Sequence, residues 1–146
     1  VRLMKRSAQG VRGIKLNAGD DVVGAGVITE SGEACQVFTI SEEGYGKRNS
    51  EDVYSLQKRG GKGTKNFRIT DKTGDVVAVG IVTDSDEVML ISEQGKIIRF
   101  DMKDIAIKKG KAISGVKLQN LDGEDKVASV AIIAKDELDS EEDSLF

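Results

Sequence analysis

The chain of 146 residues contains no histidine, no proline and no tryptophan, and Cys35 is its only cysteine. The absence of histidine removes the commonest metal ligand and the commonest general base. A single cysteine excludes an internal disulfide framework and a thiolate metal cluster, and it favours a reducing, cytosolic setting. No run approaches about 18 apolar residues, so the sequence predicts no membrane-spanning segment.

Charge is unevenly distributed along the chain. The formal net charge is −3, but residues 136–146 hold six acids and no base. Without those six of the 25 acids, 19 acids face 22 bases, so residues 1–135 form a mildly basic body. Acidic tails of this composition are usually disordered, and we expect residues 136–146 to be such a tail.

Short apolar runs rich in valine and isoleucine alternate with turns of Gly, Asp, Glu and Ser. Their lengths and β-branched residues favour strands over helices, and no sustained helical apolar stripe is present. The predicted fold class is therefore all-β. The runs predicted as strands are Val22–Ile28, Val37–Ile40, Val76–Val82, Val88–Ile91, Ile97–Phe100 and Val127–Ala134.

The sequence repeats itself with a period near 50 residues. Phe38-Thr-Ile-Ser-Glu-Glu-Gly44-Tyr matches Met89-Leu-Ile-Ser-Glu-Gln-Gly95-Lys at an offset of 51, and both predict a hairpin with a Gly-bearing turn. About four strands per unit predict a propeller-like array of four-stranded blades. We assign residues 1–34 to the C-terminal half of one blade, 35–85 to a complete blade and 86–135 to a complete final blade. About two and a half blades are then present, which predicts a piece of a larger protein.

A loop in the middle repeat, Gln57-Lys58-Arg59-Gly60-Gly61-Lys62-Gly63, packs three cations and three glycines into seven residues. Glycine lets the backbone turn sharply and lie close to a partner. Three clustered cations repel one another unless an anion lies among them, and a phosphate backbone is the obvious candidate. The pattern is not a Walker P-loop, because Gly63 follows Lys62 where Ser or Thr is needed. The alternative is a solvated Gly-rich turn with ordinary surface charge.

Cations recur at the matching place in each repeat. Residues 47–68 alone hold seven bases against two acids. This recurrence predicts a basic stripe along one edge of the array, whereas the alternative is scattered surface cations. The candidate binding residues are Gln57, Lys58, Arg59, Gly60, Gly61, Lys62, Gly63, Lys47, Arg48, Lys65, Arg68, Lys5, Arg6, Lys108, Lys109 and Lys111.

Carboxylates are frequent, but they do not form a convincing catalytic set. Asp84, Asp86 and Glu87 lie in one turn-like segment, and Asp20 and Asp21 lie in another. Paired acids in turns more often solvate the turn than perform acid–base chemistry or bind metal. We therefore predict no catalytic residue and no metal ligand.

The heptapeptide Gln57–Gly63 resembles the GyrA box, the signature of the C-terminal domain of the DNA gyrase A-type chain. The flanking segments Glu43-Gly-Tyr-Gly-Lys-Arg48 and Val127-Ala-Ser-Val agree with the same family. The resemblance covers residues 1–135 and implies a β-pinwheel, usually of six blades, around whose basic rim DNA wraps. It implies that Gln57 through Gly63 form the DNA-wrapping element. With no base-reading motif evident, contacts should be to the DNA backbone and tolerant of sequence.

The resemblance also implies a setting for the chain. The full-length protein would be an ATP-dependent type II topoisomerase that introduces negative supercoils, located in the cytoplasm on the chromosome. Its partners would be double-stranded DNA and the remainder of the gyrase A subunit, together with the gyrase B subunit, in an A2B2 assembly. This portion would carry no active site and no cofactor, with ATP and Mg acting elsewhere in the holoenzyme.

Two alternatives stay open at the level of sequence. One is the C-terminal domain of the topoisomerase IV A-type subunit, in which the box is typically degraded. The other is a propeller fragment that binds an acidic protein through its basic loop. A protein-binding array should show apolar or aromatic residues beside that loop, and the chain has only six aromatic residues (two Tyr and four Phe).

Overall fold

The computed structural model describes residues 1–29 and 34–134. The predicted acidic tail, residues 136–146, lies outside these residues. The described part of the chain contains strands and two short 3₁₀ turns, so the all-β prediction is confirmed. No helix found there has the length and apolar character needed to cross a membrane. The strands are β1 (Gln36–Ser41), β2 (Tyr45–Ser50), β3 (Val76–Val82), β4 (Glu87–Ser92), β5 (Ile97–Asp101), β6 (Ile107–Lys108), β7 (Val116–Lys117) and β8 (Val127–Ile133).

The sequence repeat is visible as two hairpins of the same design, β1–β2 and β4–β5. In the first, the backbone N–H of Tyr45 donates to the hydroxyl of Ser41 at 3.3 Å. In the second, Lys96 N–H donates to Ser92 at 3.0 Å. A glycine with positive φ completes each turn, because a residue with a Cβ would be strained in this conformation. The matching Ser-Glu-X-Gly segments therefore fold alike.

A third strand widens each hairpin, since β3 pairs antiparallel with β1 and β8 pairs antiparallel with β4. The matching segment of the first repeat, Val22–Ile28, is not a strand, and that prediction is wrong. No strand of the described residues pairs with this segment, so its backbone lacks the ladder hydrogen bonds that define a strand. Its side chains are correspondingly open to solvent, with Val27 80% exposed.

Two short strands of the last repeat cross over to the middle repeat. β6 lies parallel to β2, with Ile107 opposite Arg48, and β7 lies antiparallel to β2, with Lys117 opposite Tyr45. The sheet of the middle repeat therefore contains β3, β1 and β2 together with β6 and β7, whereas β5, β4 and β8 form a separate sheet. Consecutive repeats interlock, because both ends of the segment 107–117 pair with β2.

The hydrophobic core joins the two sheets. Alternate residues of the strands point inward, as Phe38 and Ile40 do on β1 and as Val88 and Leu90 do on β4. All four are at most 1% exposed, and full burial of each side chain contributes about 1.5–3 kcal/mol. One shared core therefore sets the position of one repeat relative to the next. The cluster consists of Phe38, Ile40, Val82, Val88, Leu90, Met102, Ile105 and Val127.

Candidate nucleic-acid interface

The loop Gln57–Gly63, here called the box loop, lies on the surface after the 3₁₀ turn Glu51–Val53. The side chains of Gln57, Lys58, Arg59 and Lys62 are all exposed. The side-chain amide of Gln57 donates to the Ser55 hydroxyl at 2.9 Å, which holds the start of the loop locally. The three cations are thus free to meet a partner in solvent.

Two glycines shape the backbone of the box loop. Gly60 has φ +78° and Gly63 has φ +76°, a conformation that costs an L-residue roughly 1–2 kcal/mol. A Cβ built on Gly60 would have its nearest neighbour, the Arg12 carbonyl oxygen, 3.7 Å away. The backbone conformation, rather than crowding, therefore requires glycine at this position. The expected close approach of these glycines to DNA stays a prediction.

Backbone hydrogen bonds attach the box loop to the first repeat. Gly60 N–H donates to the Gly13 carbonyl at 2.7 Å, and Lys15 N–H donates to the Gly61 carbonyl at 2.8 Å. Ile14 and Gly61 form an isolated parallel bridge. The middle of the loop is fixed by these bonds, so its cations project from a defined backbone.

The box-loop cations have no acidic partner within the described residues. None of the ion pairs found there includes Lys58, Arg59 or Lys62. Cations held together without counter-charges repel one another, and a phosphate oxygen would relieve that repulsion through charge-assisted hydrogen bonds. The loop therefore has the geometry and charge of an anion-binding element.

The matching loop of the last repeat, residues 107–114, is here called the second loop. Ile113 bridges Phe67 in parallel, just as Gly61 bridges Ile14 one repeat earlier. The two loops thus occupy equivalent places on successive repeats. Lys109 is exposed, whereas Lys108 and Lys111 are half-buried.

The second loop also contacts the chain that follows the box loop. Arg68 N–H donates to the Ile113 carbonyl at 3.1 Å, and the Ser114 hydroxyl donates to the Arg68 carbonyl at 2.9 Å. The side chain of Arg68 is exposed beside this junction, and Lys65 is exposed three residues earlier. The structure therefore brings Arg68 next to the second loop.

Lys5 and Arg6 lie on an exposed turn of the first repeat, in which Ala8 N–H donates to the Lys5 carbonyl at 3.0 Å. Within residues 1–29 and 34–134, no hydrogen bond joins either residue to the box loop or the second loop. Their membership of one continuous stripe stays a prediction.

Lys47 and Arg48 are buried, and their assignment to an exposed basic stripe is corrected. Lys47 is 0% exposed and Arg48 is 4% exposed. The reason is that β2 is a central strand, with β1 along one edge and β6 and β7 along the other. Arg48 donates to the Ile105 carbonyl, to the Gln36 side chain at 3.0 Å and to Asp84, so its guanidinium is engaged inside the protein.

Burial also changes the acid–base behaviour of two groups beneath the loops. Desolvation lowers the pKa of Lys47 to about 8, because burial disfavours the charged ammonium. Desolvation raises the pKa of the Tyr54 phenol, whose hydroxyl donates to the Asn66 side chain. The Lys47 ammonium donates to the Lys111 carbonyl of the second loop, and Tyr54 precedes the box loop by three residues.

Sequence reasoning missed a pair of cations around Tyr45. The ammonium groups of Lys72 and Lys117 lie 5.5 and 5.9 Å from the centroid of its ring, within the range of a cation–π contact. Both lysines are exposed. Lys117 could have been found from the repeat, because Gly115-Val-Lys117 matches Gly63-Thr-Lys65. No match between repeats in the sequence identifies Lys72 in this way.

The arrangement offers cations and fixed backbone turns, which is the chemistry of anion binding. In the part of the chain that the structure describes, no group of three or more His, Cys, Asp or Glu is placed to hold a metal ion. What the loops can do is neutralise phosphates along a nucleic-acid backbone.

Comparison with known proteins agrees with this geometry. A family model described as DNA gyrase C-terminal domain, beta-propeller, matches residues 1–29, 36–83 and 86–134. The DNA gyrase A subunit of Thermotoga maritima is 41% identical over 133 residues, which are 91% of this chain and 16% of that protein. The DNA gyrase A subunit of Staphylococcus aureus (strain MRSA252) is 39% identical over 143 residues, 98% of this chain and 16% of that protein. The chain therefore spans 16% of the length of these curated relatives.

Two solved structures share the fold. A DNA gyrase A C-terminal domain superposes with a TM-score of 0.78 at 34% identity, covering 91% of this chain and 44% of that one. The C-terminal domain of a DNA topoisomerase IV superposes with a TM-score of 0.77 at 20% identity, covering 85% and 38%, and identity this low shows the fold alone. The resemblance seen in the box loop is confirmed over the whole described chain, which belongs to the beta-propeller family of DNA gyrase C-terminal domains.

Proposed function

We propose that this chain is the DNA-binding and DNA-wrapping module of a DNA gyrase A subunit. The whole protein would be an ATP-dependent type II topoisomerase that introduces negative supercoils, with its cleavage and ATPase sites in other parts. Its partners in an A2B2 holoenzyme would be double-stranded DNA and the remainder of the gyrase A subunit, together with the gyrase B subunit. Its setting would be the bacterial chromosome in the cytoplasm.

One observation carries this proposal: cations that form no ion pair among the described residues occupy equivalent loops on two successive repeats, exposed in the box loop and exposed or half-buried in the second loop. The box loop presents Lys58, Arg59 and Lys62, and the parallel bridges Ile14–Gly61 and Phe67–Ile113 place the second loop equivalently. Phosphates recur at regular intervals along DNA, so a recurring cationic loop suits a continuous backbone path. The proposed contact set is the predicted one without the buried Lys47 and Arg48.

The proposed contacts imply a steep dependence of affinity on salt. With about six phosphates neutralised, the slope of log K against log salt would be roughly −5. Raising the salt fourfold would then weaken binding by on the order of a thousandfold. Contacts limited to the backbone would leave affinity nearly independent of base sequence.

The gyrase assignment is favoured over the topoisomerase IV A-type subunit for two reasons. The box Gln-Lys-Arg-Gly-Gly-Lys-Gly is intact at residues 57–63. The gyrase relatives are about 40% identical over almost the whole chain, whereas the topoisomerase IV structure is 20% identical. The alternative of an acidic protein partner has one feature in its favour, because Leu56 beside the box loop is fully exposed.

The test is fluorescence anisotropy of a labelled duplex of about 40 base pairs over a salt series. The variant Lys58→Ala/Arg59→Ala/Lys62→Ala removes the box-loop cations, and its slope should be shallower by about 2.7, since each contact contributes about 0.9. The matched control Lys96→Ala/Arg99→Ala/Lys103→Ala removes the same charge from cations that are paired with acids.

Three outcomes are distinguishable. Loss of affinity and slope in the box-loop variant, with a smaller effect in the control, supports the proposal. Equal losses of affinity in both variants would mean that DNA binding depends on net charge alone. The proposed role of the box loop in contacting DNA would then be refuted. If the unaltered chain does not bind DNA, binding of an acidic protein becomes the favoured function.

A further inference from the structure

Two buried side chains of β2 hold the second loop from beneath. The Asn49 side-chain amide donates to the Lys108 carbonyl at 2.7 Å and to the Gly110 carbonyl at 3.0 Å. The Lys47 ammonium donates to the Lys111 carbonyl. Lys47 and Asn49 are both 0% exposed. Three carbonyls of the cationic segment 108–111 are therefore bound by side chains of the preceding repeat.

These bonds determine where the segment lies. The Gly110 and Lys111 carbonyls lie outside the strands and have no regular ladder partner, so side-chain donors that bind them fix the backbone to the strand that carries the donors. The ammonium of Lys47 is further held by the Asn49 side-chain oxygen at 2.6 Å. Two partners explain how a lysine remains buried in this position.

The same polar cluster extends to residues on either side of the box loop. The Tyr54 hydroxyl donates to the Asn66 side-chain oxygen and lies 3.4 Å from the Asn49 oxygen. The Asn66 amide donates to the Thr39 hydroxyl at 2.9 Å, which ties this residue to β1. Tyr54 and Asn66 stand before and after the box loop in the sequence. The cluster thus connects Asn49, which binds the second loop, with Tyr54 and Asn66, which flank the box loop.

We propose that Lys47 and Asn49 are positioning residues for DNA binding. They hold the backbone of the second loop on β2 so that Lys108, Lys109 and Lys111 meet the same duplex as the box loop. They do not touch DNA themselves. This inference rests on the proposed function, and it assigns a role to residues that the exposed cations alone would not identify.

The first test measures loop anchoring without DNA, by amide hydrogen exchange in Asn49→Ala. The exchange rate of the Arg68 amide, which donates to the Ile113 carbonyl of the second loop, should rise at least about tenfold more than the rates of the amides in β4 and β5, because the loop loses two bonds to β2. Val88→Ala is the control, since it removes buried volume from β4 and leaves the second loop intact. An unchanged exchange rate of the Arg68 amide would overturn the proposal. If Asn49→Ala fails to fold, Lys47→Met serves for the same measurement.

The second test is a double-mutant cycle for DNA affinity. Asn49→Ala should lower affinity and make the salt slope shallower by about one to two, because one or two phosphate contacts are lost. In the background Lys108→Ala/Lys109→Ala/Lys111→Ala, Asn49→Ala should have no further effect. An equal loss in both backgrounds would show a role in stability alone and would overturn the proposal.

The two tests separate this inference from the proposed function. If the unaltered chain does not bind DNA, the proposed function fails and the positioning role for DNA fails with it. If the chain binds DNA and the box-loop variant loses affinity while Asn49→Ala does not, the proposed function stands and the positioning role is refuted.

Discussion

Replacing the buried Arg48 by Met should destabilise the protein and leave its DNA affinity unchanged. Methionine has a flexible chain that fills much of the same space, so no large cavity forms. It removes the donors that bind the Ile105 carbonyl and the Gln36 side-chain oxygen. Ile105 is 6% exposed and Gln36 is 3% exposed, so water cannot readily replace the lost partner of either residue.

The expected loss of stability follows from these two acceptors. Each buried acceptor left without a donor costs about 1–3 kcal/mol. The ion pair with Asp84 adds little, because the Asp84 side chain is 62% exposed and such pairs contribute about 0–1 kcal/mol. The free energy of unfolding should therefore fall by about 2–6 kcal/mol, a large part of the roughly 5–15 kcal/mol typical of a domain.

Urea unfolding of the native protein and of Arg48→Met measures the loss of stability, and the anisotropy salt series measures DNA binding. The predicted result is a lower unfolding midpoint with an unaltered salt slope at temperatures where both proteins are folded. A change below about 0.5 kcal/mol, the range of ordinary surface substitutions, would refute the buried role. A salt slope shallower by about one would instead place Arg48 on DNA.

Two further predictions concern a turn and a buried lysine. Gly44→Ala should cost about 2–4 kcal/mol, because Gly44 has φ +83° and a Cβ there would lie 2.4 Å from the Gln119 carbonyl oxygen. Gly95→Ala, at φ +84° with no atom within 4 Å, should cost only about 1–2 kcal/mol in urea unfolding, and equal losses would contradict the steric argument. Because burial lowers the pKa of Lys47 from 10.5 to about 8, the unfolded state binds more protons between these values, and stability should rise with pH there. The stability of Lys47→Met should not show this rise with pH. If the variant and the native protein have the same dependence of stability on pH, the argument from Lys47 is refuted.

The hairpins could be predicted because the residues that determine each of them lie within one short segment of the sequence. Each Ser-Glu-X-Gly segment contains the glycine that its own turn requires, and the apolar runs on either side have strand length. The prediction failed at Val22–Ile28, where the composition favours a strand but no strand of the described chain pairs with it. A strand is defined by its partner as much as by its own residues.

The crossing of β6 and β7 onto β2 could not be predicted. These strands have two residues each, which is too short for a periodic apolar pattern. Because the crossing covers β2, it also decides that Lys47 and Arg48 are buried. Sequence alone treats all cations as surface groups, since buried lysines and arginines are rare. The box loop was recognisable because its cations and glycines are contiguous.

The most direct test of the central claim is the linking number of a singly nicked plasmid sealed by ligase in the presence of saturating chain. The proposed function has DNA wrapped around the cationic loops, and the resemblance to gyrase C-terminal domains implies that this wrap is a positive superhelical turn. Such a wrap predicts that the sealed plasmid is positively supercoiled after the protein is removed. Lys58→Ala/Arg59→Ala/Lys62→Ala should leave the plasmid close to relaxed. A plasmid that stays relaxed with the unaltered chain bound, or that is supercoiled equally by the variant, would contradict the account.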